Sequence, residues 1–370
     1  MAETRFIVAG SFIDGSGAEV RRHVFLQVTD TIITAIGPAA DLPHNGTATV
    51  DDLSHCTILP PLVDCSVALT QSAAVDSRMR TGPDQAGLAR HIRDCHAHGV
   101  LGVADSGGQP ELLKHCHEEL TVGSMVDIRA AGDDFLKIAY SANIDAETAS
   151  PPRLNHEELD RILRRRGEKK AVVVANGVQP VAAALAAGCD AIEQGYGMGE
   201  DNLRMMAKKN VLWIPNPLRA KNGLDGASSG GSVCCRFSTR YVAPGKPLPG
   251  AEAFWKKMLA DHLAQLRLAR KLGVTTAVGT GAGSVGILHG ESMVEEMKLF
   301  IKAGYSLTET IRCASENGAR FFGMAKLGAL MIGRQATFLL TRGTVQQLPR
   351  KLAYLEGIYV DGRPSPGSRN

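Results

Sequence analysis

Leu59-Pro60-Pro61-Leu62-Val63-Asp64-Cys65-Ser66-Val67-Ala68-Leu69 separates two kinds of sequence. The paired prolines stop whatever precedes them, because neither can donate a backbone hydrogen bond. An apolar run follows in which Asp64 and Ser66 are the only strongly hydrogen-bonding side chains. A short apolar run bounded by breakers is the pattern of a buried strand. What comes before it reads as a small β layer, and what comes after it as repeated βα units.

In the β layer, residues from about 5 to 58 alternate in the strand manner. The runs are Phe6-Ile7-Val8-Ala9-Gly10, Val24-Phe25-Leu26-Gln27-Val28 and Ile32-Ile33-Thr34-Ala35-Ile36-Gly37-Pro38, with turn formers Asp14-Gly15-Ser16-Gly17 between them. Short antiparallel strands cannot cover both their faces alone and need a partner layer. The far end of the chain offers one, since Gln335-Ala336-Thr337-Phe338-Leu339-Leu340 and Gly357-Ile358-Tyr359-Val360-Asp361-Gly362-Arg363 also read as strands. Between the two ends, strands near 100–105, 125–130, 135–139, 171–175, 190–194, 211–215 and 274–279 interleave with helical stretches at 84–98, 109–120, 155–166, 178–187, 200–209 and 251–271. Counted with the opening stretch, these are eight strands over about 260 residues, which argues for an α/β fold of the (β/α)8 TIM-barrel type. The expected organisation is a barrel over 60–325 and a small β-sandwich domain made of 1–59 and 326–370.

One connection departs from the pattern. Residues 216–249 are rich in Gly, Ser and Pro, show no clear period, and exceed the roughly 15 residues beyond which structureless loops become uncommon. Following a strand, this loop belongs at the C-terminal face of the barrel, as a plain surface loop or as a lid over a site.

Composition excludes several function classes. The 41 Lys plus Arg against 38 Asp plus Glu leave a net charge of +3 over 370 residues, too slight for an electrostatic grip on nucleic acid or a membrane. The opening Met1-Ala2-Glu3-Thr4-Arg5-Phe6 lacks the features of a secretory signal, and no run approaches the roughly 18 apolar residues of a spanning helix. Eight cysteines without a repeating spacing suit buried thiols in a reducing cytoplasm better than a disulfide framework. A small molecule, a protein partner or a second copy of the chain is the expected partner.

The opening stretch resembles the first barrel strand of the amidohydrolase superfamily, where Leu-Pro-Gly-Leu-Ile-Asp precedes an alternating His-Xaa-His. Further stretches are similar to its imidazolonepropionase-like or dipeptidase-like branch: Gly99-Val100-Leu101-Gly102-Val103-Ala104-Asp105-Ser106-Gly107-Gly108, Asp134-Phe135-Leu136-Lys137-Ile138, Ala187-Gly188-Cys189-Asp190-Ala191-Ile192-Glu193-Gln194-Gly195 and Ala277-Val278-Gly279-Thr280-Gly281-Ala282-Gly283. The likeness continues through Gly304–Thr310, 317–320 and 328–333, in order and nearly end to end. It implies a barrel with a sandwich built from both chain ends. It also implies zinc or another divalent metal held by the His-Xaa-His pair, a bridging and often carbamylated lysine, one histidine each from strands five and six, and an aspartate from strand eight.

At those positions this chain carries Ser66 and Ala68, then Val174 or Asn176, Gln194 and Gly281, with only Lys137 retained. A catalytic metal needs about three N, O or S protein ligands. These residues do not supply them, so the expectation is no metal and no cofactor. Other candidates are weaker. His91, Cys95 and His98 share a helix face at i, i+4 and i+7, a possible metal arrangement, but the helix packs outside the barrel. The adjacent residues of His115-Cys116-His117 point apart, and Cys234-Cys235 reads as a free thiol pair. Arg164-Arg165-Arg166 with Lys169-Lys170 is a solvated charge run at a helix end. His289 is either an acid or base at the mouth or a cap for the helix starting at Glu291-Ser292.

A ligand set can still be assembled. Gly279-Thr280-Gly281-Ala282-Gly283 offers backbone N–H groups where barrels bind phosphate, and Lys137, Ser66, Asn176 and Gln194, with Arg219 or Arg236 from the loop, could help hold a small anion. The functional expectation is therefore a binding or scaffold pseudoenzyme. The alternative is a hydrolase of non-peptide or dipeptide-like carbon–nitrogen bonds that uses Lys137 and His289 as catalytic groups, or a metal site relocated to His289, Cys65 and Asp105.

Overall fold

The computed structural model describes residues 3–43, 48–71, 85–106, 126–141, 154–228, 249–284 and 286–365, together with Glu111 and Leu113. The first four strands are β1 (Thr4–Phe12), β2 (Arg21–Thr29), β3 (Ile32–Pro38) and β4 (Thr49–Leu59). Seven parallel strands follow: β5 (Leu62–Val67), β6 (Val100–Asp105), β7 (Asp127–Ala130), β8 (Phe135–Ala139), β9 (Lys170–Ala175), β10 (Ala191–Gln194) and β11 (Leu212–Ile214). The last three are β12 (Phe338–Arg342), β13 (Gly357–Val360) and β14 (Arg363–Pro364).

Both chain ends join in one seven-stranded sheet of order β14-β13-β12-β4-β1-β2-β3. Period-two alternation explains its core, because Ile7, Ala9, Val24, Leu26, Val28 and Ile33 turn inward to meet Ile58, Phe338, Leu340 and Tyr359. The sheet curls until its β3 edge meets the chain just ahead of β12, through Ile33 N to Arg334 O at 2.9 Å and Ala336 N to Thr31 O at 2.8 Å. The sandwich expected from two layers is thus one sheet bent over its own core.

The parallel strands form two sheets, β5-β6-β7 and β8-β9-β10-β11. Residues 274–282 stitch them together. On one side Ala277 N donates to Trp213 O (2.9 Å), and on the other Cys65 N donates to Val278 O (2.9 Å) and Ala68 N to Ala282 O (2.8 Å). The wall therefore runs β8 to β11, through 274–282, to β5, β6 and β7. Between β7 and β8 there is no ladder among the described residues, and the turn Ala131–Asp134 carries the chain directly from one to the other. The strands are apolar on both faces, and their side chains make a second core distinct from that of the terminal sheet.

Helices expected from the sequence appear at Gln85–Ala97, His156–Arg164, Val178–Ala186, Glu200–Lys209 and Ala251–Leu272, while the one expected over 109–120 lies almost wholly outside the described residues. Asn155 starts its helix with a capping box, accepting from Glu158 N while Glu158 accepts from Asn155 N, each at 2.9 Å. The stretch expected to be an aperiodic loop over 216–249 begins instead as a helix, Pro217–Ser228. Its glycine content misled the reading. A Cβ on Gly223 would stand 2.5 Å from the Trp255 ring, so the glycine lets this helix lie against Ala251–Leu272, and tertiary packing overrides propensity. The rest of that loop, with Cys234, Cys235 and Arg236, lies outside the described residues, as do His115, Cys116 and His117. The described cysteines Cys56, Cys65, Cys95, Cys189 and Cys313 are free and buried, as expected. Among the described residues no helix is long and apolar enough to cross a membrane.

Candidate functional site

At the C-terminal ends of the parallel strands, β5, β6, β8 and β10 each contribute one polar side chain to a single cluster. Lys137 Nζ from β8 lies 2.7 Å from Glu193 Oε2 of β10, with the two side chains only 14% and 6% exposed. The contact is ionic rather than a well-aligned hydrogen bond, since Oε2 has no hydrogen-bond partner. The same ammonium donates to Ser106 Oγ just past β6 at 2.8 Å and to Ser66 Oγ of β5 at 3.5 Å. Ser66 Oγ in turn donates to Glu193 Oε1 at 2.8 Å. Two charges buried in apolar strands have little choice but to pair, because an isolated buried charge is far more expensive. The ammonium thus has one ion-pair partner and two hydroxyl acceptors, all of them protein groups.

Asp64 and the glycine-rich segment form a second network. Asp64 Oδ1 accepts from Thr280 N at 2.8 Å and Ser66 N at 3.2 Å, while Oδ2 accepts from Thr280 Oγ1. Burial pushes the Asp64 carboxyl up to about 6, against those hydrogen bonds, which act to lower it. Asp64 thus ties β5 to the segment that closes the wall, a positioning role. The expected amide cradle does not form. Gly281 N donates to Ser66 O (2.8 Å), Ala282 N to Thr280 Oγ1 (3.0 Å) and Gly283 N to Ile287 O (3.0 Å). The glycines serve close approach, since a Cβ on Gly283 would sit 2.5 Å from Ala68 O and one on Gly279 2.5 Å from Ile214 Cγ2.

Asn176 and Gln194 face each other. Asn176 Nδ2 donates to Gln194 Oε1 at 2.7 Å, and Asn176 Oδ1 accepts from Tyr196 N at 3.0 Å. Gln194 has a left-handed φ of 70°, and Trp213 Nε1 holds its carbonyl at 2.9 Å. Behind β11, the fully buried His262 bonds Pro215 O through Nε2 (2.7 Å), stacks on Tyr196 at 3.8 Å, and is pushed down to about 4 by burial. Glu296 accepts from Leu218 N at 2.8 Å, and burial raises its carboxyl well above the usual range, favouring the neutral acid.

Residues 79–364 match the profile of the Amidohydrolase family. The chain belongs to that family. Among solved structures it is similar to a Xaa-Pro dipeptidase with bound methionine in its active site, at 19% identity and a TM-score of 0.81, covering 99% of this chain and 100% of that one. It is also similar in fold to the A. niger ochratoxinase, at 18% identity and a TM-score of 0.78, covering 100% and 99% of the two chains. A molinate hydrolase follows at 15% identity and a TM-score of 0.75, covering 98% and 94%. At these identities the likeness shows the fold. No curated protein matches the chain in sequence.

The amidohydrolase fold raises the question of a divalent metal, on which the described residues at the family's ligand positions bear. Ser66 and Lys137 are engaged with each other and with Glu193, Asn176 and Gln194 are paired amides, and Ala68, Val174 and Gly281 offer no side-chain ligand. Among the described residues no three His, Cys, Asp or Glu side chains group as a metal site. At these described positions the side chains do not make up the donor set that a catalytic metal needs.

The remaining sequence candidates resolve differently from expectation. His289 does not cap the following helix, where Ser292 Oγ instead accepts from Leu288 N at 2.8 Å. Its Nε2 lies 3.1 Å from Ala68 O and its ring stacks on His91 at 4.0 Å, with burial first among the causes that push it down to about 3. His91 Nδ1 is bonded to Leu69 O (2.7 Å) and His98 Nδ1 to Asp94 O (2.8 Å), and among the described residues His91, Cys95 and His98 do not group as a metal site. The relocated site of His289, Cys65 and Asp105 does not assemble either, since among the described residues no three such side chains group as a metal site, and Asp105 accepts from Leu69 N at 2.7 Å. Sequence reading missed Glu193 and Ser106. The available signal was an acid inside Ala191-Ile192-Glu193-Gln194 and a lysine inside Phe135-Leu136-Lys137-Ile138-Ala139, opposite charges in two otherwise apolar strands.

Proposed function

We propose that this chain is an amidohydrolase-family protein that works without a catalytic metal and holds a small polar molecule at its strand ends as a binding or scaffold protein. The observation that supports this most is the engagement of Lys137. With Glu193, Ser106 and Ser66 around it, its amine is taken up by protein partners rather than left free for a base, a nucleophile or a carbamate bridge. Lys137 is neutralised by Glu193 and the 281–283 amides are turned inward, so the mouth suits an uncharged or zwitterionic molecule better than the anion expected from the sequence. We read the parallel wall as a (β/α)8 barrel over 60–325, with 1–59 and 326–370 as the composite β domain.

The test is metal content and turnover together. Protein purified from zinc- and manganese-supplemented cells should carry far less than one ion per chain and should not hydrolyse Xaa-Pro dipeptides or N-acyl amino acids. Stoichiometric metal with hydrolysis abolished by chelation sinks the reading. A second reading has one observation in its favour: Ser66 Oγ donates to Glu193 Oε1 at 2.8 Å, a hydroxyl set on a buried carboxylate. In that reading the chain is a metal-independent carbon–nitrogen hydrolase with Ser66 attacking. Turnover that survives chelation and disappears in Ser66→Ala would establish it over the first.

A further inference from the structure

Away from the strand ends, a groove of about 600 Å3 opens between the helix Ser292–Lys302 and the segment around 346–354. Its volume lies within the range of small-molecule sites. Ile301, Leu348 and Tyr354 make part of its wall apolar. Ile301 is 36% and Tyr354 55% exposed, two of the eight large apolar side chains that the described residues leave exposed, and here they share one concavity. Its charge is of one sign. Lys298, Arg350 and Lys351 line it, and no Asp or Glu does. Lys298 is held by Glu295 at 2.7 Å, outside the lining, which leaves Arg350 and Lys351 without an ion pair among the described residues.

We propose that this groove is a binding site for a small organic anion with an apolar body, such as an aromatic carboxylate. Solvated surface cations are ordinary, and so are single exposed apolar side chains. What distinguishes this place is that both occur in one concavity. The apolar body covers Ile301, Leu348 and the Tyr354 ring, and the carboxylate meets Arg350, whose planar guanidinium suits two parallel hydrogen bonds, with Lys351 adding charge. The groove shares no residue with the mouth cluster of Ser66, Ser106, Lys137 and Glu193, and differs from it in being cationic rather than charge-balanced.

Titration of the full chain with 2-naphthoate and with uncharged 2-naphthamide, followed by calorimetry and ligand-observed NMR, tests this. Naphthoate should bind saturably and at least about tenfold more tightly than naphthamide, and should weaken by about tenfold in the paired variant Arg350→Gln, Lys351→Gln and again in Tyr354→Ala. Added salt should weaken it further. The control Arg320→Gln removes an exposed cation elsewhere and should leave the affinity unchanged, and unaltered melting of each variant shows that folding is not at issue. No saturable naphthoate binding, equal affinity for the amide, indifference to the groove substitutions, or an equal loss in Arg320→Gln each overturns the proposal.

Discussion

Replacing Lys137 by Met isolates the energetics on which the mouth rests. The substitution keeps the length of the side chain and removes the ammonium, leaving a Glu193 carboxylate only 6% exposed without its counter-ion. Removing one partner of a buried ion pair costs about 3 to 5 kcal/mol, mostly the penalty of the charge left behind. Ser66 Oγ still donates to Glu193 Oε1, which places this case near the lower end, about 3 kcal/mol. Glu193→Gln should cost somewhat less, since the ammonium keeps two hydroxyl acceptors. The double variant, Lys137→Met with Glu193→Gln, removes both charges and should cost only about 1 kcal/mol, giving a coupling of at least about 2 kcal/mol. Urea unfolding at neutral pH reads this directly, because both tryptophans of the chain, Trp213 and Trp255, lie in the part that carries the pair. If the single costs add to within about 0.5 kcal/mol in the double variant, the pair is not a coupled buried unit and the account of an engaged lysine fails.

Three further outcomes are expected. The two buried histidines oppose acidification: His262 and His289 have folded values of about 4 and about 3 against an ordinary 6.5, so each withdraws about 1.4 kcal/mol per pH unit as pH falls from 6.5 toward about 4. Asp64 and Glu296 act with the opposite sign, the contribution of Asp64 being complete below 3.8 and lost as pH rises through about 6 and that of Glu296, raised well above its ordinary 4.5, changing over the same window, so the four nearly offset one another between about 4.5 and 6; Glu296→Gln removes one opposing group and should expose one histidine's worth of slope there, and urea midpoints of that variant that rise on acidification contradict this. Gly223→Ala should lower stability by about 1 kcal/mol, because a Cβ 2.5 Å from the Trp255 ring overpacks the helix pair by more than the roughly 1 kcal/mol of helix propensity gained, and a stabilised variant in thermal melting would mean that the two helices separate easily. Asn155→Ala should cost about 1 kcal/mol through the lost cap, and Asp in its place should restore most of it, measured by the same melts.

The parts of this molecule that sequence reading reached are those set by local pattern. Period-two alternation in Phe6-Ile7-Val8-Ala9 and in the C-terminal runs marks residues that need a common core, and the sheet joins β12 to β4 accordingly. Apolar strands with intervening helices mark a parallel wall. What escaped depends on which strands face one another. Lys137 and Glu193 are far apart in sequence, and nothing local says that β8 and β10 direct these two side chains at the same Ser66. The 279–283 amides were expected to point outward as a phosphate cradle, but the carbonyls of Ser66 and Ile287 take two of them and the Thr280 hydroxyl a third. His289 sits near the strand ends as its position suggested, yet its partner is a histidine on the first helix of the wall, a contact no spacing rule supplies.

These particulars bear on how buried carboxylates are accommodated at the strand ends. Several carboxylates buried near one another need compensating positive charge or protons, and a divalent cation is one way to supply it. Here each carboxyl is served separately: Glu193 by the Lys137 ammonium, Asp64 by the amide and hydroxyl of Thr280 and the amide of Ser66, and Glu296 by Leu218 N together with a carboxyl raised well above the usual range. Once each is served in this way, both oxygens of Asp64 and both of Glu193 face protein partners. A ligand arriving at the strand ends then meets a charge-balanced, hydrogen-bonded floor. Its recognition has to come from shape and from the hydroxyl and amide groups at the rim rather than from a strong electrostatic anchor. The unbalanced cations Arg350 and Lys351 lie elsewhere, so anionic ligands should be drawn to the outer groove and uncharged ones to the mouth.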